Sequence, residues 1–364
     1  MIQLLQDQMK TEGLSFLVEH LPRIGTTSID ICAVGQPVIV SRGPGKLCVE
    51  DTEENKATIL LPCEEFVGEQ AKFTTVSPGC YRLRLKSREE VVNAFNCNNK
   101  ARNVFMSLPE GKWSKKELIE SKGFRILCLT CRTDIINEQN CFKINEMPSE
   151  FWMELMDYWH CHKPHDISKE NEYSVRYNSL KPLKGEILLG SAFFLAQQDT
   201  FAGRVKTENG FLQCAKCSAS LGEETQDHLF KIYKWQVLLK KSNKEEDVFP
   251  PEQDVVFTLL NLIKGYSTRY VLLESESSKL FVWLFAIGID VTLPDNRVLT
   301  NCIKVLYCDE ISEKETKGSN IEQLKVKPVP MRHFVQMLEQ IHESLPSSVK
   351  QFDLWRVSYI KITA

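Results

Sequence analysis

The chain has 364 residues, which is enough for two or three domains of about 100–200 residues each. Its hydrophobic content of 43% and charged content of 26% are ordinary for a soluble globular protein. The net charge of −3 provides no bulk attraction for nucleic acid, which requires a basic face, so we expect no direct nucleic-acid partner.

Residues 14–86 consist of short apolar segments that are separated by Gly and Pro residues. Six of these segments are predicted strands: Leu14–Val18, Ser28–Val34, Pro37–Ser41, Lys46–Glu50, Ala57–Leu61 and Cys80–Lys86. Apolar and basic residues alternate along the last of them, which is typical of a strand with one buried face. Many short strands with turns at this spacing predict an antiparallel sandwich or barrel. We therefore predict a β-rich N-terminal domain at residues 1–110.

Two capping boxes predict short helices after this β-rich region. Ser87 is followed three residues later by Glu90, and Ser114 is followed at the same spacing by Glu117. In a capping box the hydroxyl and the carboxylate satisfy the free N–H groups at the start of a helix. We expect these two helices to connect the β-rich domain to the next part of the chain.

A third helix is predicted to begin at Pro148 and Ser149, and its apolar residues at positions 152, 155, 156 and 159 share one face. Pro164 ends it, within the sequence HCHKPH at residues 160–165. Three histidines and a cysteine in six residues have the composition of metal ligands, but the same composition suits a solvated helix end. Since adjacent residues point in different directions, we predict no self-contained metal site there, but a thiol that could reach another protein's metal.

The rest of the chain alternates strands and helices. Predicted strands are Gly185–Leu195, Leu229–Leu239, a hairpin of Tyr270–Leu273 with Lys279–Phe285, Asn301–Tyr307 and Trp355–Ile362. Predicted helices are Glu252–Lys264, with Gly265 after its end, and Met331–Leu345. The first of these helices is apolar around most of its circumference, so we expect it to be central. The pattern predicts a mixed α/β domain at residues 226–364 and an α+β fold overall.

Two C-x-x-C pairs are the strongest chemical signal in the chain: Cys128 with Cys131, and Cys214 with Cys217. Two thiolates three positions apart can bind one ion from one side, and two such pairs complete a tetrahedral shell of four sulfurs, which suits structural zinc. The alternative is four reduced cysteines in the core that do not form one site. It stays open because the 82 residues between the pairs exceed the spacing in a compact zinc ribbon. We predict zinc as the cofactor and a zinc-bearing module at residues 111–225.

The thirteen cysteines indicate a reducing compartment. Their number is odd, and the first residues lack the basic and then apolar layout of a signal peptide. The longest apolar run, Leu280–Ile289, is half the length of a membrane span, so we expect no membrane partner. We therefore expect the protein in the cytoplasm, the nucleus or both, with its thiols serving as core residues and metal ligands.

Several motifs follow one another in a characteristic order along the chain. They are the β-rich N-terminus, Cys128 and Cys131, the Pro148-Ser149-Glu150-x-Trp152 helix with Trp159, Cys161 and His162, the strand Gly190–Leu195, and Cys214 and Cys217 with Leu221-Gly222-Glu223. This order is similar to that of the HECT-like ubiquitin-protein ligase family, which includes a protein that binds the mitotic ubiquitin-conjugating enzyme. The resemblance covers nearly the whole chain. It implies a ligase that accepts ubiquitin from a conjugating enzyme and transfers it to substrates.

The same resemblance implies an alternative function that is not enzymatic. Family members bind the metallo-β-lactamase-fold endonuclease that cleaves pre-mRNA 3′ ends, as inhibitors or chaperones, through a segment that matches Met147 to about Tyr177 here. On this interpretation Cys161 would be placed on the zinc of the endonuclease, and Trp159, His160 and His162 would flank it.

The resemblance also implies a contact region for the ubiquitin-conjugating enzyme at about Leu238–Ile263. The polar loop with Phe249, Pro250 and Pro251 is expected to make the contact, and the following helix is expected to support it. The apolar character of that helix fits an alternative in which it is simply core.

No thioester cysteine is evident in the sequence. HECT ligases carry it near the C-terminus after a threonine, and this chain has no cysteine after Cys308. The nearest match is Cys302, in the sequence Thr-Asn-Cys inside a predicted strand. The alternative for Cys302 is a small buried hydrophobic residue, which is the commoner state of a free cysteine.

Overall fold

The computed structural model describes residues 14–62, 66–67, 72–87, 111–121, 123–147, 181–241, 246–266, 268–276, 278–310 and 321–362. Strands predominate over helices in these residues. Their contacts divide the chain into two units. The first contains the described residues up to 87 together with 268–362, and the second contains 111–266. No helix among the described residues is both long enough and apolar enough to cross a bilayer.

The strands are numbered in chain order. The first eight are β1 (Leu14–Leu21), β2 (Thr26–Ala33), β3 (Val38–Gly43), β4 (Lys46–Glu50), β5 (Lys56–Leu60), β6 (Phe66–Val67), β7 (Thr74–Ser77) and β8 (Cys80–Ser87). The next eleven are β9 (Arg125–Cys128), β10 (Asp134–Asn137), β11 (Lys143–Glu146), β12 (Glu186–Leu189), β13 (Phe193–Ala196), β14 (Val205–Glu208), β15 (Phe211–Cys214), β16 (Ser220–Glu224), β17 (Phe230–Tyr233), β18 (Val237–Lys240) and β19 (Glu246–Val248). The last six are β20 (Tyr270–Ser275), β21 (Ser278–Thr292), β22 (Val298–Cys308), β23 (Ile321–Lys325), β24 (Gln351–Phe352) and β25 (Trp355–Lys361). The α-helices are α1 (Lys115–Glu120), α2 (Glu252–Tyr266) and α3 (Pro328–Ser344).

The first unit is built on an eleven-stranded sheet with the order β24-β25-β22-β21-β1-β2-β8-β6, where β20 and β23 branch from β21 and β7 pairs with β8. Strands β3, β4 and β5 form a separate sheet. One core cluster contains Phe16 of β1 and Ile59 of β5, so it draws side chains from both sheets. The two sheets therefore share one core, and the prediction that the N-terminal region is rich in strands is confirmed.

Strand β1 serves two cores because successive side chains of a strand point to opposite faces. Phe16 and Val18 lie in the first cluster, whereas Leu17 lies in a second cluster with residues of β21, β22 and β25. Helix α3 is amphipathic, and it buries Phe334 and Leu338. The Ser358 hydroxyl of β25 donates to the Leu338 carbonyl at 2.8 Å, which ties the helix to the sheet.

The second unit contains two sheets. One has the order β10-β9-β18-β19, and the other has the order β11-β12-β13-β17-β16-β15-β14. The capping box at Ser114 is confirmed, because its side chain accepts from the Glu117 N–H at the start of α1. Helix α2 is buried around most of its circumference, as predicted.

Two predicted strands are interrupted in the structure. Gly185–Leu195 is a hairpin of β12 and β13, in which the Gly190 N–H donates to the Phe193 carbonyl at 3.0 Å. Leu229–Leu239 is split into β17 and β18 by a 3₁₀ turn at Lys234–Gln236. Gly265 lies inside α2 rather than after its end. An apolar run shows burial, but it does not show where the backbone turns within the buried segment.

The two units differ from the three domains predicted at residues 1–110, 111–225 and 226–364. Strand β1 pairs with β21, so that Val18 lies opposite Thr292. This pairing joins the C-terminal strands to the N-terminal ones, and α2 belongs to the second unit. The described residues after 226 therefore do not group as one mixed α/β domain. The helices predicted to follow Ser87 and to begin at Pro148 lie outside the described residues.

Candidate metal centre

The first C-x-x-C pair forms a tight turn at the end of β9. The Arg132 N–H donates to the Cys128 carbonyl at 3.0 Å, and the Cys128 N–H donates to the Thr133 carbonyl at 2.8 Å. Arg132 has a φ of 59°, in the left-handed region. This conformation reverses the chain directly after the second cysteine, so both thiols, those of Cys128 and Cys131, face the same side of the turn.

The second pair repeats this geometry at the end of β15. The Ser218 N–H donates to the Cys214 carbonyl at 2.8 Å, and the Cys214 N–H donates to the Ala219 carbonyl at 2.9 Å. Ser218 has a φ of 60°. The two turns are thus alike in hydrogen bonding and backbone conformation, although 82 residues separate Cys131 from Cys214. We call them the first and second cysteine turns.

The two turns meet. The Cys128 and Cys217 sulfurs are 3.7 Å apart, and the Cys131 and Cys214 sulfurs are 3.6 Å apart. All four sulfurs lie within 4.8 Å of one another. An ion about 2.3 Å from each of four tetrahedral sulfurs would separate them by about 3.8 Å. The structure therefore brings together the four cysteines singled out in the sequence, and the Cys128–Cys217 and Cys131–Cys214 sulfur distances are close to those of a zinc shell.

The surroundings of the sulfurs favour an ion. Burial raises the pKa of the Cys128 thiol to about 12 and also raises that of Cys214. Hydrogen bonds with the side chain and backbone of Thr133 lower the pKa of Cys131 to about 6. Four thiolates this close would repel one another, and burial also disfavours their negative charge. A divalent cation would offset both effects and allow the buried thiols to lose their protons. The donor set fits zinc, and these four cysteines would hold it.

The cluster spans the two sheets of the second unit. The first turn extends from β9 in the four-stranded sheet, and the second extends from β15 in the seven-stranded sheet. An ion held by all four sulfurs would cross-link the sheets. Because a shell of four protein ligands leaves no open position for water or substrate, its role would be structural rather than catalytic.

The structure places Cys302 in the core of the first unit, where its side chain is fully buried in β22. Burial raises the pKa of its thiol to about 12. A nucleophilic cysteine needs a lowered pKa and an approach for the second reactant. Its surroundings match the alternative given above, a small buried hydrophobic residue.

The Phe249-Pro250-Pro251 segment follows β19, the edge strand of the four-stranded sheet. Phe249 is fully buried, so its ring offers no surface to a partner, contrary to the expectation that it makes contact. Its ring centroid lies 5.7 Å from that of Trp113 in an edge-to-face arrangement. Pro250 and Pro251 are half-buried, and Val248 has 48% of its surface exposed. Among the described residues that flank Phe249, β19 and the two prolines are accessible.

Trp113 and Lys234 hold this region in place, and sequence reasoning did not single out either of them. The Trp113 indole N–H donates to the Asp247 carboxylate at 2.8 Å. The buried Lys234 ammonium donates to the carbonyls of Lys112 and Ser191 at 3.1 Å each. Trp113 stands directly before the capping box at Ser114, and this position in the sequence could have indicated that its side chain anchors the start of α1.

The predicted docking residues Trp159, His160, Cys161 and His162 lie outside the described residues, so their role stays a prediction.

Comparisons with known proteins give the following matches. A family model described as HECT-like ubiquitin-conjugating enzyme (E2)-binding matches residues 19–357. An uncharacterized protein of Saccharomyces cerevisiae, YJR141W, is 36% identical over 355 residues, which are 96% of this chain and 99% of that protein. An E3 ubiquitin-protein ligase of Mus musculus is 21% identical over 267 residues, which are 65% of this chain and 70% of that protein. No solved structure matches the chain.

Proposed function

This chain belongs to the HECT-like family that binds ubiquitin-conjugating enzymes, and we propose that it binds a ubiquitin-charged conjugating enzyme and promotes transfer of the ubiquitin to a protein substrate. The observation that carries the proposal is the family match at residues 19–357, which includes strands of both units. The ligase name of the Mus musculus relative points in the same direction. Zinc on Cys128, Cys131, Cys214 and Cys217 would be the structural cofactor.

We place the contact with the conjugating enzyme on β19 and the two prolines that follow it. These residues combine an edge strand with an exposed apolar side chain, Val248, and they lie within the region that the family resemblance implies. Asp247 is anchored by Trp113, and Glu246 lies 3.3 Å from the Arg132 guanidinium of the first cysteine turn. The first cysteine turn and the proposed contact therefore share one sheet, and α2 serves as buried support.

Replacing Val248 with aspartate should weaken binding of the conjugating enzyme by about tenfold, which corresponds to about 1.4 kcal/mol. An exposed apolar side chain at an interface loses its contact area and must instead desolvate a carboxylate. The measurement is calorimetric titration of the protein with a panel of conjugating enzymes. Val76→Asp is the matched control, since Val76 is 54% exposed on β7 in the first unit. Unchanged binding by Val248→Asp would show that β19 is not part of the contact.

A discharge assay tests the proposed transfer itself. Adding this chain to a conjugating enzyme that carries ubiquitin should accelerate the loss of the thioester, and a reductant-sensitive adduct on this chain would reveal a cysteine carrier. We expect Cys302→Ala to keep the discharge rate within about twofold, because a buried thiol with a raised pKa is a poor nucleophile. If this chain accelerates thioester loss from none of the conjugating enzymes in the panel, ligase activity with those enzymes is excluded.

A second candidate function rests on the sequence at Trp159–His162. A thiol flanked by two imidazoles is a strong zinc ligand, and the family resemblance implies docking on the zinc of the pre-mRNA 3′-end processing endonuclease. A sulfur in the open coordination position would displace the hydrolytic water, so this chain would act as an inhibitor or chaperone.

Replacing Cys161 with alanine should then raise the concentration needed for half-inhibition of the endonuclease by about tenfold or more, because the zinc loses a thiolate ligand. An RNA-cleavage assay with added wild-type or variant protein measures this. The control is Cys48→Ala, which removes a half-buried thiol from the first unit. Equal inhibition by Cys161→Ala and wild type would exclude the ligand role of Cys161.

A further inference from the structure

A second pair of cysteines lies close together in the first unit, outside the C-x-x-C motifs. Cys32 of β2 and Cys80 of β8 are directly opposite each other, and their sulfurs are 3.4 Å apart. The neighbouring Ala33 N–H donates to the Gly79 carbonyl at 2.9 Å. Since hydrogen-bonded and non-hydrogen-bonded pairs alternate along an antiparallel ladder, Cys32 and Cys80 form a non-hydrogen-bonded pair, in which side chains approach most closely.

This position suits a disulfide without movement of the strands. The Cα atoms of a non-hydrogen-bonded pair are about 4.5 Å apart, which is within the range that disulfides span. To form the bond, the sulfurs must approach from their present separation to about 2.05 Å, which rotation of the two side chains can supply. Both cysteines are half-buried, so a small reactant can reach them.

The surroundings of Cys32 favour its thiolate. The hydroxyl oxygens of Ser347 and Ser348, in the segment after α3, lie 3.6 and 3.3 Å from its sulfur. Although burial opposes the effect, hydrogen bonds with Ser348 and Ser347 lower the pKa of the Cys32 thiol. The thiolate is the reactive form of cysteine, so Cys32 is the better nucleophile for an oxidant and Cys80 is positioned to react next.

We propose that Cys32 and Cys80 form a redox-active dithiol site that reacts with hydroperoxides and becomes an intramolecular disulfide. In the first step the Cys32 thiolate attacks one oxygen of the hydroperoxide and the O–O bond breaks. The sulfur becomes a sulfenic acid, and the other oxygen leaves as an alkoxide. The alkoxide takes a proton to form an alcohol, or water when the reactant is hydrogen peroxide. In the second step the Cys80 sulfur attacks the sulfenic sulfur, the S–S bond forms and water leaves. The dithiol is oxidised by two electrons and the hydroperoxide is reduced by two.

Other cysteines in the described part of the chain lack this combination. Cys302 and Cys308 are buried, and Cys141 is buried with a pKa raised to about 11. Hydrogen bonds with Ser41 and Thr58 lower the pKa of the half-buried Cys48, but the residue opposite it on β5 is Thr58 rather than a cysteine. The four cysteines of the two cysteine turns would be occupied by the proposed ion. In the reducing compartment that the sequence predicts, a small thiol reductant would return the disulfide to the dithiol, so oxidation would be transient.

Peptide mapping of the full-length protein tests the proposal. After treatment with hydrogen peroxide, trypsin digestion without reductant should give a disulfide-linked pair of peptides, residues 24–42 and 73–82, each of which contains one cysteine. The linked pair should return to two separate peptides on addition of glutathione. In Cys80→Ser the sulfenic acid at Cys32 has no partner, so labelling of Cys32 by a 1,3-diketone should rise about fivefold or more over wild type.

The control is Cys48→Ser, which removes a half-buried thiol of the same unit and should leave the linked pair unchanged. Circular dichroism of each variant shows whether it remains folded. The proposal is overturned if Cys32 is oxidised to sulfinic acid with no link to Cys80. It is also overturned if Cys32 in folded Cys80→Ser is labelled no more than Cys32 in the wild-type protein.

Discussion

Replacing Cys214 with serine is expected to release the bound zinc and to unfold the second unit of the protein. The four sulfurs lie within 4.8 Å of one another on turns from two different sheets, so an ion bound by all four would hold these sheets together. Structural zinc of this kind contributes on the order of 10 kcal/mol to folding, which is comparable to the whole stability of a typical domain. A hydroxyl is a far weaker zinc ligand than a thiolate, and the remaining three sulfurs would repel one another.

Two measurements check this result. Metal analysis of the purified wild-type protein should find one zinc per chain, and hydrogen exchange should show lost protection in residues 123–147 and 205–224 of Cys214→Ser. The matched control is Cys141→Ser, which changes a buried thiol of the same unit outside the cluster and should keep its zinc. A folded wild-type protein without metal, or unchanged protection in Cys214→Ser, would contradict the structural role of the ion.

Each of the two cysteine turns was predictable from the sequence because its signal is local. A C-x-x-C pair forms one side of a site through its own turn, so the spacing of Cys128 and Cys131 already specifies their geometry. The distance of 82 residues to the second pair left open whether the two turns meet. Their meeting depends on the packing of two sheets, and that information is distributed over many residues.

The arrangement of the C-terminal strands could not be predicted in the same way. The sequence predicted strands at Lys279–Phe285 and Asn301–Tyr307, which lie within β21 and β22, but an apolar segment carries no information about which strand pairs with which. The pairing of β1 with β21 connects residues 270 to 274 positions apart, and it joins N-terminal and C-terminal strands into one unit. Burial of Phe249 was missed for a similar reason: its partner Trp113 lies 136 positions earlier.

Replacing Trp113 with alanine is expected to destabilise the second unit by about 3–5 kcal/mol, the usual cost of removing a large buried aromatic side chain. Trp113 is fully buried, its ring is stacked 6.2 Å from that of Phe194, and it meets Phe249 edge-on. Its indole N–H also donates to Asp247 of β19, so the variant removes an anchor of the proposed contact surface. Affinity for the conjugating enzyme should therefore fall even at temperatures where the variant remains folded.

Urea denaturation followed by circular dichroism measures the stability, and titration with the conjugating enzyme measures the affinity. Trp113→Phe separates the two causes, because it retains a ring and loses only the N–H, at an expected cost of about 1–2 kcal/mol. Phe211→Ala is the control for an aromatic side chain in the same unit that is 57% exposed, and it should cost less than about 1 kcal/mol. If Trp113→Phe is stable and binds the conjugating enzyme as wild type does, the hydrogen bond to Asp247 does not position β19. If Trp113→Ala costs no more than Phe211→Ala, the aromatic cluster is not the core of this unit.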